Sequence, residues 1–372
     1  MPCQRSFRKN KIPVVMLVVM AVSALTVILL LELTRCYQPD PRKEEKGAAM
    51  ELMQSAIHAI KTEKLRMGIP IDRLLDPDET GMIGVEYNDL TTTRGSLTSK
   101  RISTNPAFAA VVVEMLDQAG VGTGDPVAVS FSGSFPALNI AVLSAVKVLN
   151  LQPVIISSAG ASMYGANQPE MTWLDMERIL AERGIFPYRS LAASLGGITD
   201  TQGGLDGTGI STGLRAIRRN GRPLLTEGGV ARLDGDIRER MALFDRSFGG
   251  QKPAAFVNVG GSLTSLGSGP GVHQLPMGLL MKIPASGHLE RGIIFRMAER
   301  GVPVVHLLKI RSIAAQYGIP VDPAPWPVVP PGRKATPKRY SMPLAVACLV
   351  LLMVILAFLH RADVKSRATG GA

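Results

Sequence analysis

Three short stretches place small, hydroxyl-bearing and glycine residues directly after apolar runs. They are Ser130-Phe131-Ser132-Gly133-Ser134, Ser157-Ser158-Ala159-Gly160-Ala161-Ser162 and Asn258-Val259-Gly260-Gly261-Ser262. Such residues let backbone N–H groups approach an anion closely, and a helix that follows adds favourable partial charge. Serine and glycine also build ordinary turns and caps. Gathered at one edge of a parallel sheet, the three stretches form a site for an anion or a carboxylate. The first supplies Ser130, Ser132, Gly133 and Ser134 as candidate ligand contacts. The second supplies Ser157, Ser158, Gly160 and Ser162, with Tyr164 and Asn167 just beyond it. The third supplies Asn258, Gly260 and Gly261. No Gly-Lys-Ser/Thr ending makes any of them a P-loop, and Gly-x-Gly-x-x-Gly does not follow the first strand.

Ser132 precedes Gly133 at an expected strand-to-helix turn, where a hydroxyl is exposed, so it is the candidate nucleophile. A helix cap explains the same residue more simply, and no Gly-x-Ser-x-Gly elbow is present. Its base would come from His273 or His288, with Asp200 to orient it. His306 lies inside an apolar run and reads as structural. The 5 histidines are scattered, with no His-Glu-x-x-His and no Cys pair, so no metal is expected. Asp200 and Asp206 flank a Gly-rich segment that a turn accounts for. No cofactor is expected either.

A basic stretch runs from Arg215 through Arg218, Arg219 and Arg222 to Lys252. Those four arginines are candidate contacts for an anionic polymer or lipid headgroups. Interspersed Glu227, Asp234, Asp236 and Glu239 equally describe a solvated helical face.

Elements must bring these residues together. Asn105 and Pro106 open a helix whose buried stripe is Phe108, Val111, Val112, Met115 and Leu116. Pro126 to Ser130 is a buried strand, Pro136 to Leu149 a helix, and Pro153 to Ser157 a second strand. A strand, loop, helix and strand in that order imply a parallel pair with a crossover. Ala254 to Val259, a helix over Gly292 to Arg300, and a strand over Val302 to Leu308 repeat the pattern. The middle, 172 to 248, reads as largely helical. Earlier, Met50, Met53, Ile57 and Ile60 recur at helical spacing up to Met67, and Val85-Glu86-Tyr87 reads as a short strand. The expected fold is α/β, a mostly parallel sheet with Rossmann-like β-loop-α-β units.

The ends differ in character. Ile12 to Leu31 carries no charge and, at about 1.5 Å per residue, spans a bilayer core of roughly 30 Å. Pro343 to Leu359 is a shorter apolar run. Arg5, Arg8, Lys9 and Lys11 precede the first, and Arg361, Lys365 and Arg367 follow the second, so both termini are expected in the cytoplasm. The expected divisions are a basic tail (1–11), a transmembrane helix (12–31), a linker (32–47), an amphipathic helix with an irregular segment (48–104), the α/β domain outside the cytoplasm (105–319), a Pro-rich tether (320–342), a second transmembrane helix (343–359) and a cytoplasmic tail (360–372). In 372 residues, 46% apolar residues and only 19% charged ones leave room for both a core and membrane helices. Just 3 cysteines, Cys3, Cys36 and Cys348, exclude a disulfide scaffold. The net charge of +11 would suit nucleic acid, but a domain outside the cytoplasm would not meet it.

Ser162 to Asp175 joins Tyr164, Asn167, Gln168, Glu170 and Trp173 just after a strand. Thr172 and Asp175 have the spacing of a helix cap and its partner. The polar and aromatic run before them suits a binding loop. Here the chain resembles the poly-gamma-glutamate system protein family, bacterial membrane proteins found alongside the components that make poly-gamma-glutamate. The residues that carry the resemblance are Ser157-Ser158-Ala159-Gly160-Ala161-Ser162-Met163-Tyr164-Gly165-Ala166-Asn167 and Pro169-Glu170-Met171-Thr172-Trp173-Leu174-Asp175. Ser194-Leu195-Gly196-Gly197 and Asn258-Val259-Gly260-Gly261 add to it. The resemblance implies a pathway and supplies no catalytic residues. The expected function is a membrane-anchored accessory in synthesis or export of this capsule or secreted polymer. The expected partners are the polymer, the bilayer and the membrane components of the system. A hydrolase or transpeptidase acting on the polymer, with Ser132 as nucleophile, and a small-ligand or regulatory module are the alternatives.

Overall fold

The computed structural model describes residues 14–34, 40–197, 204–225, 233–268, 275–283, 290–321 and 342–369. Pro41–Arg333 form one compact unit, and the two ends, Met1–Asp40 and Lys334–Ala372, form another. The first helix of the end unit is α1 (Val14–Leu33).

The larger unit begins with α2 (Lys43–Arg66), α3 (Leu97–Ser103) and α4 (Ala107–Gln118). Then come β1 (Pro126–Phe131), α5 (Pro136–Val148), β2 (Gln152–Ser158), β3 (Asn167–Gln168), β4 (Met171–Thr172), α6 (Trp173–Glu182) and β5 (Ala192–Ser194). After α7 (Gly207–Arg219) and α8 (Leu233–Ser247) follow β6 (Ala255–Val259), α9 (Leu263–Leu266), β7 (Gly267–Ser268), β8 (Gly278–Leu280), β9 (Glu290–Arg291), α10 (Ile293–Glu299), β10 (Val304–Leu307) and α11 (Ile310–Gln316). The fold is α/β. Its main sheet has six strands in the order β5-β2-β1-β6-β10-β8. All neighbours are parallel except β8, which lies antiparallel on β10.

Strand residues alternate between the two faces of this sheet, and each face has its own core. On one side, Val127 and Val129 of β1 and Val257 of β6 share one core with residues of α4 and α5, over which α2 packs. Ala128, Ile156, Phe256 and Val304 meet Phe244 of α8 and Ile293 and Ile294 of α10 on the other. Burial on both faces is why β1 and β6 read as mainly apolar runs, interrupted by Ser130 and Asn258 near their C-terminal ends. Each fully buried Val, Ile or Phe contributes about 1.5–3 kcal/mol, so these two layers fix the strand register firmly. Phe131, the last residue of β1, meets Trp173 of α6 edge-on, with ring centroids 5.5 Å apart. The Trp173 indole N–H donates to Ser157 Oγ at 3.2 Å.

Several expectations change. The amphipathic helix starts at Lys43, inside the expected linker, because Glu44 and Glu45 favour a helix N-terminus. Arg42 also ties that first turn to Glu45 and Asp117. Val85-Glu86-Tyr87 is not a strand. Val85 instead exchanges backbone and side-chain hydrogen bonds with Tyr164 and Asn167, an irregular clamp rather than a ladder. Two strands of the main sheet, β5 and β8, were not expected. Each has only three residues, too few to display a period.

The end unit closes with α12 (Met342–Thr369), which packs against α1. Both helices are long and apolar enough to cross a membrane. α12 runs past Leu359 through most of the expected tail, since nothing from Ala357 to Thr369 is a helix breaker.

Candidate functional site

The chain leaves β1 towards β2 and β5 on one side and returns through β6 and β10 on the other. The C-terminal ends of β1 and β6 are therefore adjacent where the direction of winding reverses, the position at which open parallel sheets bind ligands. A cavity of about 460 Å³ lies there. That is the size of a small-molecule site.

The end of β1 brings Ser130 to the cavity, and the loop after it brings Ser132 and Ser134. β2 ends on Ser158 and the loop after it brings Ser162, while β6 carries Asn258 and the loop after it brings Gly260 and Gly261. So all three stretches do converge. They fit because two glycines remove steric bulk. Gly260 has φ +111°, and a Cβ there would lie 2.6 Å from the Cβ of Ser132. A Cβ on Gly133 would lie 2.8 Å from the Gly160 carbonyl oxygen. Gly133 is therefore a spacer that lets the loops after β1 and β2 touch, and neither it nor Gly160 lines the cavity.

The remaining candidates have internal roles. Ser157 is buried against the Ser190 hydroxyl and Trp173. Asn167 is fully buried; its amide bonds the N–H and C=O of Val85 and the hydroxyl of Thr91. Tyr164 has φ 62°; its N–H donates to the Val85 carbonyl and its C=O accepts the Gly84 N–H. The polar run after β2 is thus largely internal bracing, where a binding loop was expected.

Ser132 Oγ accepts the N–H of Ser134 at 3.1 Å, the turn chemistry that competed with a nucleophile. No histidine among the described residues reaches it. His273, His288 and Asp200 lie outside the described residues. His306 sits on β10, paired in register with Asn258. Burial first and Lys309 second push its imidazole down to about 4. It is neutral near pH 7 and takes the Asn258 amide N–H on Nδ1 at 3.0 Å. The other Asn258 amide hydrogen goes to the Gly260 carbonyl at 2.8 Å. Both donors are occupied, so the Asn258 side chain has only its carbonyl oxygen to offer, an acceptor for a ligand N–H.

Compared with family models, curated proteins and solved structures, the chain matches none. Its site must be read from its own residues.

The residue that sequence reasoning missed is Lys100, on α3. Ser96 caps this short helix by accepting the Ser99 N–H at 3.3 Å. The helix packs against α5 and α11 and carries Lys100 into the cavity wall. The side chain is only 2% exposed. Its Nζ donates to the Ser134 carbonyl and lies 2.8 Å from Ser162 Oγ. It also sits 3.8 Å from the centroid of the Phe135 ring. Burial alone pushes the amine down to about 7. Arg94 and Lys309 also line the cavity, and among the described lining residues there is no carboxylate.

The arginine stretch is differently placed. Arg219 pairs with buried Asp175 and donates to the Pro169 carbonyl at 2.5 Å. This pairing holds the Asp175 carboxyl below its usual range, although burial opposes it. Thr172 donates both its N–H and its hydroxyl to the same carboxylate, as the cap spacing anticipates. Arg222 donates to the carbonyls of Asn220 and Ser190. Arg215 bonds the hydroxyls of Thr212 and Ser211. Arg218 is exposed. No group of His, Cys, Asp or Glu among the described residues is arranged to hold a metal ion.

Proposed function

We infer that this chain is a membrane-anchored accessory of poly-gamma-glutamate synthesis or export, and that its α/β domain captures a stretch of the polymer at the switch-point cavity. The observation that carries this reading is the charge of the lining: the cationic side chains Arg94 and Lys309, with no carboxylate among the described lining residues. A polymer of glutamates offers a free carboxylate on every unit and an amide N–H between units. The cations suit the first, and the Asn258 carbonyl oxygen suits the second.

In this reading α1 and α12 span the membrane, the basic residues beyond them stay in the cytoplasm, and the Rossmann-like domain faces outward. The two apolar helices support the anchoring, and the flanking charges support the orientation. The resemblance carried by the segment from Ser157 to Asp175 supports the choice of polymer. The arginine stretch, first in line from sequence, gives weaker support, because Arg219 and Arg222 already bond internal acceptors.

The test uses the full chain in detergent micelles and a fluorescent poly-gamma-glutamate of defined length. Anisotropy should report saturable binding that weakens as salt rises and Debye screening shortens. Short γ-linked glutamate oligomers should compete. Binding that is absent at low salt, or that an uncharged polyamide displaces equally well, overturns the reading.

A further inference from the structure

Lys100 has no role in holding the fold's charge balance. None of the ion pairs among the described residues includes it. Its own helix carries one other charge, Arg101, which bonds the carbonyls of Leu74 and Leu75. α5 and α11, which pack on that helix, carry only Lys147 and Arg311 as charged residues. The remaining charged groups lining the cavity, Arg94 and Lys309, are also cations. No anion among these groups offsets the burial that favours the free amine. A buried lysine in that state is a base.

A free amine has two hydrogens and one lone pair. One hydrogen goes to the Ser134 carbonyl. The lone pair can take the hydroxyl hydrogen of Ser162, whose Oγ is 2.8 Å away. Ser162 is itself fixed from behind, since its N–H donates to Ser134 Oγ at 3.0 Å. Both residues line the cavity. A serine held against a base, in a wall that a ligand touches, is the arrangement an activated nucleophile requires.

We propose that Ser162 and Lys100 form a nucleophile–base pair at the wall of this cavity, acting on the amide carbonyl of an acidic chain. The substrate class rests on the capture reading above; the pair itself rests on the geometry. In the forward step Ser162 Oγ bonds to the carbonyl carbon and its proton passes to Lys100 Nζ. The tetrahedral adduct collapses, the C–N bond breaks, and Lys100 returns the proton to the departing amine. Water, or an amine acceptor, then attacks the ester on Ser162, with Lys100 taking the proton from the attacking group and giving it back to Ser162 Oγ. Hydrolysis trims the chain, and an amine acceptor attaches it.

The test treats the full chain in detergent with an alkyl fluorophosphonate, which a serine activated in this way displaces fluoride from. Peptide mapping by mass spectrometry should place the adduct on Ser162. The labelling rate should rise with pH through a midpoint near about 7 as Lys100 loses its proton. Lys100→Met should slow it at least about 100-fold, the usual scale for a general base. Mapping needs only the wild-type chain, so a variant that fails to fold does not blunt the result. An adduct on Ser132 instead, no adduct, or a rate flat in pH overturns the pair. Polymer binding is measured on the same sample. Binding without an adduct leaves the capture reading standing and removes the pair, whereas an adduct without binding does the reverse.

Discussion

The α/β domain has two basic regions, and they are built in opposite ways. Around α7, arginines are dense in sequence, yet Arg219 and Arg222 complete a network with Asp175, Pro169, Asn220 and Ser190. At the cavity the basic residues come from two stretches far apart in the chain, Arg94 and Lys100 from one and Lys309 from the other, and no carboxylate is among the described lining residues. The comparison teaches that a count of basic residues measures charge, while affinity for an anion also depends on whether that charge lines a cavity a ligand can enter.

The largest expected effect contrasts the two directly. Reversing the cavity charges with Arg94→Glu and Lys309→Glu should weaken polymer binding about 100-fold, because two charge-assisted contacts of about 1.5 kcal/mol each become repulsive. Anisotropy at fixed ionic strength measures this. A loss below tenfold would remove the cavity from the capture reading.

Next in size, Asp175→Ala should lower stability by about 2–3 kcal/mol, since it leaves Arg219, Asn220 and the Thr172 hydroxyl without their shared acceptor. Thermal unfolding should show the drop, with polymer affinity unchanged below the transition. A change in affinity of the folded protein would mean the two regions are coupled.

A smaller effect concerns pH. Burial depresses Lys100 to about 7 and Lys64 to about 8. Both are ordinary lysines, near 10.4, in the unfolded chain. Between these limits the unfolded state binds more protons, so stability should rise as pH rises from about 7 towards 10. This contribution is lost as pH falls through the folded values. Lys100→Met should show a shallower rise in unfolding temperature over that range, and an equal slope would contradict buried, uncharged Lys100. The smallest expected effect is at Arg218, which is exposed: Arg218→Ala should change binding by less than about twofold.

How much of this is readable in the sequence depends on distance along the chain. The loops after β1, β2 and β6 announce themselves, because small residues follow buried strands and the order of elements puts those ends on one edge. The cap formed by Thr172 and Asp175 is equally local. Lys100 is not. It lies in a polar stretch with nothing to distinguish it from Arg94 or Arg101, and its environment exists only once α3 folds over the loops from β1 and β2. The pairing of Asn258 with His306 is invisible for a related reason. It comes from the register of two strands 48 residues apart in sequence. Asn167 misleads in the other direction, because a polar residue beside a tyrosine resembles a binding loop until its amide is seen to bond Val85 and Thr91.

The edge-on contact of Phe131 with Trp173 has an optical consequence. The chain has 2 tryptophans, and Trp173 is wholly buried beneath the strand whose last residue faces the cavity. Its emission should be that of an indole in an apolar setting, quenched or shifted when a ligand moves the Phe131 ring. The protein thus carries an intrinsic fluorophore one aromatic ring away from its site, and titrations can be followed without attaching a dye.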